Sequence, residues 1–236
     1  MYGSNRKSFI NLVKDKIQGY PEETAEVAGV ETKISSLSQE ETERLAMSIN
    51  SLLYGAPDVI VENVADNFDL VVDLVRAVKS FSRSPYQGIR SKEKGLQIIR
   101  LTPDVFTYIW GATGATNWTY EVTIAGVYDY VGTPDSPETT AEEEGLIIFG
   151  FLDTSTTKPV KRVQIVKDGR SKFYQDLSFE YLCAYDSVPY IPLEEPILIL
   201  PESSFYIKVQ TSAGTTKLEP VGFKVLMRTE IAKFFE

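Results

Sequence analysis

The side chains that most enzymes use for acid–base, nucleophilic or metal chemistry are scarce in this sequence. It contains no histidine, and its one cysteine is Cys183. Without histidine, a Ser-His-Asp or Cys-His nucleophile cannot be built, and the commonest metal ligand is missing. A single cysteine also excludes an intramolecular disulfide and a thiolate zinc site. In its apolar surroundings, Phe179–Tyr185, Cys183 is predicted to be a buried small hydrophobe.

Searches for a phosphate loop and for a calcium loop also find no site. The chain has no Gly-x-Gly-x-x-Gly or Walker loop. The acidic run Glu142–Glu144 lacks the alternating oxygen spacing of a calcium loop. A pair of carboxylates acting as in a glycoside hydrolase stays open, but with 33 acidic residues some pair is always close. We therefore predict no enzyme activity, cofactor or metal site, and keep a carboxylate-based glycoside hydrolase as a second alternative.

Aromatic residues in the second half of the chain raise a carbohydrate-binding alternative. A flat ring exposed on a β-sheet can stack against a sugar, whereas rings at strand positions commonly pack in the core or in cross-strand pairs. The pattern fits both arrangements, so the first alternative function is a carbohydrate- or ligand-binding β-sandwich module. The aromatic residues concerned are Trp110, Trp118, Tyr120, Tyr128, Tyr130, Tyr181, Tyr185 and Tyr190.

Charge is segregated along a chain whose net charge is −9. Residues 21–75 and 133–153 are strongly acidic, whereas residues 76–100 are strongly basic. Within the basic part, residues 83–95 contain proline and glycine and show no apolar periodicity, which is typical of a linker. This linker could contact nucleic-acid phosphates, or it could be solvated or dock on an acidic surface of the chain. Its candidate contact residues are Arg83, Arg90, Lys92 and Lys94.

Before the linker, the spacing of apolar residues predicts helices. Residues 5–18 place apolar side chains one turn apart, and Gly19 ends the pattern. Ser38 and Glu41 have the spacing of a capping box ahead of a second helix, which closes at Gly55. Residues 58–81 are rich in valine but repeat apolar side chains at intervals of three and four. That period predicts one long helix or two short ones.

The apolar faces of these helices must be buried somewhere. The sequence leaves open whether they pack on the other helices and the β domain or bind a partner protein. The candidate partner-binding residues are Leu45, Ile49, Leu52, Phe68, Val71 and Val75.

From residue 96 onward, short runs of β-branched and aromatic residues alternate with Gly, Pro, Asp and Ser, which is typical of antiparallel strands. The predicted strands are 96–101, 105–110, 118–125, 146–152, 160–167, 173–179, 180–185, 197–200, 205–211 and 222–228, followed by a short terminal helix over 229–236. Asp168-Gly169 and Ser212–Gly214 are predicted to be tight hairpin turns. Prolines flanking 197–200 predict a position near a sheet edge, because proline lacks a ladder donor. Residues 132–145 carry no large apolar side chain and are predicted to be an exposed excursion.

These patterns predict an α+β fold: a helical region over 1–82 (a docking arm or small helical domain), a linker over 83–95, and a jelly-roll-like antiparallel β-sandwich over 96–236. The layout resembles coat, turret and tail components of virus particles, although no matched residue carries the likeness. It implies a non-enzymatic structural protein that assembles with copies of itself or with other structural subunits. No apolar run could span a bilayer and no secretory signal is recognisable, which predicts a location in the virion or the cytoplasm of the producing cell.

Overall fold

The structure is a computed structural model of the chain, and it describes residues 8–27, 30–82, 94–168, 170–172 and 189–229. Four α-helices lie within these residues: α1 (Phe9–Val13), α2 (Gln39–Leu52), α3 (Asp58–Asp66) and α4 (Phe68–Ser82). A 3-10 turn, Lys14–Lys16, extends α1. The helices predicted before the linker are confirmed, and the valine-rich segment is two helices.

Polar side chains set the helix boundaries. The capping box is present, because the Glu41 amide donates to Ser38 Oγ at 3.2 Å and the Ser38 amide donates to the Glu41 carboxylate at 2.8 Å. Asn67 separates α3 from α4. Its backbone leaves the helical conformation at φ −103° and ψ 21°, and its side-chain amide donates to the Asn63 carbonyl at 2.8 Å. That bond satisfies a carbonyl in the last turn of α3.

The helical region also contains a strand pair between α1 and α2, which the sequence pattern did not predict. Strands β1 (Glu23–Val27) and β2 (Val30–Ile34) form an antiparallel pair. Tyr20 and Leu37 close the pair by exchanging backbone hydrogen bonds of 2.6 and 2.8 Å. The sequence of β2 alternates β-branched and charged residues, a period of two that favours a strand over a helix.

The remaining strands form two antiparallel sheets. Their bounds are β3 (Lys94–Arg100), β4 (Tyr108–Ile109), β5 (Ala112–Thr113), β6 (Thr119–Val122), β7 (Gly126–Val131), β8 (Glu138–Thr139), β9 (Glu144–Asp153), β10 (Val160–Lys167), β11 (Arg170–Lys172), β12 (Tyr190–Ile199), β13 (Ser204–Thr211) and β14 (Gly214–Thr229). Sheet 1 has the order β12-β9-β14-β3, and β6 also pairs with β14. Sheet 2 has the order β11-β10-β13-β7-β4-β5, and β8 also pairs with β13. The chain therefore has an α+β fold with a sandwich-like pair of antiparallel sheets, as predicted.

Sheet 1 is the middle of three layers. One face packs against sheet 2 through an apolar core that includes Ile148 and Leu218. The other face packs against the helices through a second core that includes Ile147, Phe149 and Val225. Strand β9 is consequently buried along most of its length, because both of its faces are covered. The helices thus pack on their own sandwich, which answers the question that the sequence left open.

Two glycines let the backbones of sheet 1 approach closely where the strand register shifts. A Cβ on Gly222 would lie 2.0 Å from the carbonyl oxygen of Ile147, and one on Gly150 would lie 2.2 Å from that of Ile191. The register between β14 and β9 shifts between Val221 and Gly222. Only glycine fits such a close approach, so these positions fix the bulge that orients the rest of β9.

Of the three predictions about sheet edges and tight turns, two are confirmed and one is wrong. Strand β12 is an edge strand of sheet 1, as its prolines predicted. A tight turn at Asp168 is confirmed, since its φ is 49° and Lys167 pairs with Arg170. The predicted hairpin at Ser212–Gly214 is wrong, because β13 belongs to sheet 2 and β14 to sheet 1. The chain crosses between the sheets there instead.

The predicted exposed excursion over 132–145 is confirmed only in part, because residues 134–137 are exposed but other parts of the segment are buried. Strand β8 lies within it, and Glu138 is 7% exposed. The Glu138 carboxylate accepts hydrogen bonds from the backbone amides of Thr107 and Tyr108, each at 2.8 Å. These charge-assisted bonds offset the cost of burying the carboxylate and hold the segment against sheet 2. The predicted strands 173–179 and 180–185, with Cys183, and the terminal helix beyond Thr229 lie outside the described residues.

Candidate functional site

The apolar residues proposed to bind a partner lie in the core between the helices and sheet 1. Leu52 is half-buried and packs against that core. The others are at most 2% exposed: Leu45, Ile49, Phe68, Val71 and Val75. Phe68 meets Phe9 edge-on, with ring centroids 5.9 Å apart. Sheet 1 already covers this stripe, so these side chains are not available to another protein.

The basic candidates fall at the margin of the described residues. Lys94 begins β3, whereas Arg83, Arg90 and Lys92 lie outside the described ranges. Nucleic-acid contact through the linker therefore stays a prediction.

The first basic residue of the charged segment, Arg76, acts inside the molecule. It is 4% exposed, and its guanidinium donates to the carbonyls of Ser35 at 3.1 Å and Pro21 at 2.8 Å. It also lies 3.3 Å from a carboxylate oxygen of Glu23 and 5.6 Å from the centre of the Tyr20 ring. Arg76 thus holds the segment that contains β1 and β2 onto α4.

The second basic residue, Lys79, joins α4 to the start of α2. Its ammonium donates to the Glu41 carboxylate at 2.6 Å and to the Ser36 carbonyl at 3.1 Å. Partial burial raises the pKa of Glu41, but the hydrogen bonds from Lys79 and Ser38 outweigh it and lower that pKa below its usual value. Two of the basic residues within 76–100 are therefore used for internal packing.

Four of the six described aromatic candidates for sugar stacking are core residues. Trp110, Trp118, Tyr130 and Tyr190 are between 0 and 9% exposed, while Tyr181 and Tyr185 lie outside the described residues. The Tyr130 hydroxyl donates to the Leu218 carbonyl, and burial raises the pKa of Tyr130. A broad aromatic platform is therefore not formed by the described part of the set.

Among the described residues of that set Tyr120 is the most exposed, and the exposed aliphatic residues Ile124 and Val127 follow it in the sequence. We call Tyr120, Ile124 and Val127 the corner patch; they are 38%, 72% and 62% exposed. The patch lies where β6 leads into β7, at the end of the sandwich where β13 also crosses to β14. Val122 pairs with Gly214 before the corner, and Gly126 pairs with Thr211 after it. The β6–β14 pair and the β7–β13 pair therefore lie next to each other at this end of the sandwich.

A second group of exposed apolar residues lies on the helices. This helix patch consists of Met47, Tyr54 and Val59, which are 61%, 89% and 40% exposed. Sheet 1 separates the helices from sheet 2, so the helix patch and the Val127 end of the corner patch belong to different layers. Exposed apolar residues mark an interaction surface when they are contiguous, whereas single ones are normal on a protein surface.

A shallow cleft of about 200 Å³ adjoins the helix patch. Its wall includes Tyr54, Ile60, Arg100, Leu101 and Glu219. Glu219 is the one carboxylate among the residues that line it, and its side chain contacts Lys217 at 3.2 Å. A glycoside hydrolase needs two carboxylates across its substrate, so this cleft lacks the required pair.

The described ranges contain no cluster of three or more acidic, cysteine or histidine side chains able to hold a metal ion. Among the same residues, no helix combines the length and the apolar character needed to cross a membrane.

Comparison with known proteins shows little similarity. No family model and no curated protein matches this chain. One solved structure matches, BpGH86A, a β-porphyranase of glycoside hydrolase family 86 from the human gut bacterium Bacteroides plebeius. The match covers 59% of this chain and 22% of that chain, with 9% identity and a TM-score of 0.25. A likeness at this level supports no conclusion about fold or activity.

The corner patch was not predicted as a group from the sequence, although the sequence contains a signal for it. Between Asp104 and Asp129, Glu121 is the single charged residue, in a chain that is 24% charged. A stretch of strands and turns with a single charge, more than half of whose residues are exposed, is unusual in so charged a chain.

Proposed function

We propose that this chain is a non-enzymatic assembly subunit, a structural component of a virus particle of the coat, turret or tail type. The observation that supports an assembly role is the presence of two separate groups of exposed apolar residues, the helix patch and the corner patch. An enzyme binds its substrate in a concave site, whereas an assembly subunit presents apolar groups on its outside. Its partners are copies of itself or other structural subunits, and its location is the particle or the cytoplasm of the producing cell.

The helical layer belongs to the body of the proposed subunit. Its apolar stripe is buried against sheet 1, and Arg76 and Lys79 fix the first strands and α2 to α4. Neighbouring subunits would therefore contact exposed groups such as Met47 or Ile124. The linker over 83–95 is the part of the chain that would meet nucleic acid.

The test is sedimentation of the full chain together with the composition of purified particles. We expect the chain to associate as its concentration rises, and quantitative mass spectrometry to find it at a fixed ratio to the major coat protein of the particle. A chain that stays monomeric and is absent from particles would contradict the proposal.

Glycan binding is a second candidate, and one observation favours it. The Tyr120 ring is partly exposed and stacks on Trp110, with ring centroids 5.0 Å apart and planes at 10°. A rigid, partly exposed ring can stack on a sugar at little entropic cost. Trp110 lies directly beneath, so binding would change tryptophan fluorescence. No change across a glycan panel, with Tyr120→Ala as the comparison variant, would exclude this candidate.

A further inference from the structure

We propose that the cleft between sheet 1 and the turn joining α2 to α3 binds a small organic carboxylate with an aliphatic or aromatic group. This site is additional to the apolar surfaces assigned to assembly. A free carboxylic acid and the carboxyl end of a polypeptide with an apolar last residue offer the same chemistry, and the experiment below separates these two sources.

The cleft has two walls that belong to different layers of the molecule. The turn over residues 53–57 forms one wall, and the Ala56 amide holds this turn by donating to the Leu53 carbonyl at 2.9 Å. Sheet 1 forms the other wall with Leu152, Val221 and Phe223, which also contact the core under the helices. Both walls are fixed by packing within the chain, so a ligand meets a preformed site.

The size and lining of the cleft set the apolar part of the ligand. Its volume of about 200 Å³ is smaller than the pockets that bind drug-sized molecules. Aliphatic side chains line both walls, among them Leu53, Ile60, Leu101 and Val221. A group of the size of one leucine or phenylalanine side chain would lose most of its contact with water there, which favours binding.

The charge at the cleft sets the polar part of the ligand. Arg100 lines the cleft and lies opposite Phe223 across β3 and β14, so both side chains are on the helix-facing side of sheet 1. Arg100 is exposed, and its guanidinium has no carboxylate or carbonyl partner among the described residues. The planar guanidinium offers paired donors that match the two oxygens of a carboxylate.

The other charges near the cleft leave Arg100 available to a ligand. Glu219 also lines the cleft, but its carboxylate lies 3.2 Å from the ammonium of Lys217 and accepts a hydrogen bond from Thr154 at 3.5 Å. Asp58 follows the turn and is exposed, but it is not part of the lining. Arg100 is therefore the one charge without a counter-ion in the described lining, and it attracts an anion.

Methyl NMR of the full chain tests the site with isocaproate, with N-acetyl-glycyl-leucine and with the amide of each. We expect the two acids to shift the methyl signals of Leu53, Ile60, Leu101 and Val221, with a dissociation constant at or below about 1 mM. The two amides should bind at least about tenfold more weakly, because they cannot form charge-assisted hydrogen bonds with Arg100.

Variants at Arg100 test the charge directly. Arg100→Gln should weaken binding of both acids at least about tenfold and leave binding of the amides unchanged. Arg100→Lys keeps the charge but loses the planar fork, so it should weaken binding of the acids by less. Arg44→Gln is the matched control, because Arg44 is an exposed arginine of α2 that pairs with Glu40, and it should change nothing.

The relative affinities of the two acids identify the source of the carboxylate. If isocaproate binds as tightly as the dipeptide, the ligand is a free acid, whereas tighter binding of the dipeptide assigns the cleft to the end of a polypeptide. The absence of shifts at about 10 mM, shifts confined to residues outside the cleft, or unchanged affinity in Arg100→Gln would overturn the site. The assembly role is tested separately, by sedimentation and by the composition of particles.

Discussion

Two apolar surfaces of this protein have similar side chains and opposite environments. The outer face of sheet 1 presents Ile147, Phe149 and Val225, and the helices of the same chain bury it completely. The corner patch presents Ile124 and Val127, which are more than half exposed. The first surface stabilises the fold, whereas the side chains of the second stay exposed.

The difference teaches that an apolar pattern does not by itself identify a binding surface. The regular stripe on α2 to α4 was the natural candidate because its period is strong, but a strong period reflects burial within the fold. The corner patch has no period and few apolar residues. What marks it is the lack of charge around side chains that stay exposed.

The largest effect is expected from Phe149→Ala at the covered surface. Phe149 is fully buried and meets Phe223 edge-on with ring centroids 5.7 Å apart. Its truncation should lower the free energy of unfolding by about 3–5 kcal/mol, because it leaves a cavity between the helices and sheet 1. Chemical denaturation measures the change.

Val127→Ala is the matched truncation at the exposed surface. It should change the unfolding free energy by less than about 0.5 kcal/mol, because little buried area is lost. Equal losses in Phe149→Ala and Val127→Ala would contradict the contrast between the two surfaces.

Arg76→Met should lower the unfolding free energy by less than Phe149→Ala does. It removes the hydrogen bonds that hold the segment containing β1 and β2 onto α4. The carbonyls of Ser35 and Pro21 would lose their donor, at a cost of about 1–3 kcal/mol. Arg44→Met is the control, because Arg44 pairs with Glu40 at an exposed site, where such pairs contribute little. If Arg76→Met lowers the unfolding free energy no more than Arg44→Met does, the hydrogen bonds of Arg76 do not hold that segment onto α4.

The sequence predicted the helices and strands better than it predicted which residues they contact. The capping box at Ser38 and the prolines of β12 act through local backbone chemistry, so they could be recognised without a structure. The crossing of the chain from sheet 2 to sheet 1 at Ser212 could not be recognised in this way, because a turn signal does not say whether the next strand stays in the same sheet. The burial of Glu138 was equally hidden, since its amide donors lie at residues 107 and 108. The contacts of Arg76 could not be predicted either, because its carbonyl partners are more than 40 residues away.

The smallest effect on stability is expected from removing the charge of Glu41. Its ion pair with Lys79 joins α2 to α4. The corner patch is compared with this contact because no such pair is needed there. Its pKa is lower in the folded chain than in the unfolded one, so its charge stabilises the fold at pH values above the unfolded pKa of about 4.3. That contribution is lost as the pH falls through the folded pKa. Glu41→Gln keeps a side chain that can complete the capping box but removes the charge.

Denaturation midpoints of wild type and Glu41→Gln should therefore differ modestly at neutral pH and converge in acid, because the carboxylate is 46% exposed and solvent screens the pair. A difference that stays constant from neutral to acid pH would show that the charge of Glu41 contributes nothing. The covering layer would then be held by Arg76, by the apolar stripe and by hydrogen bonds such as that from Lys79 to the Ser36 carbonyl.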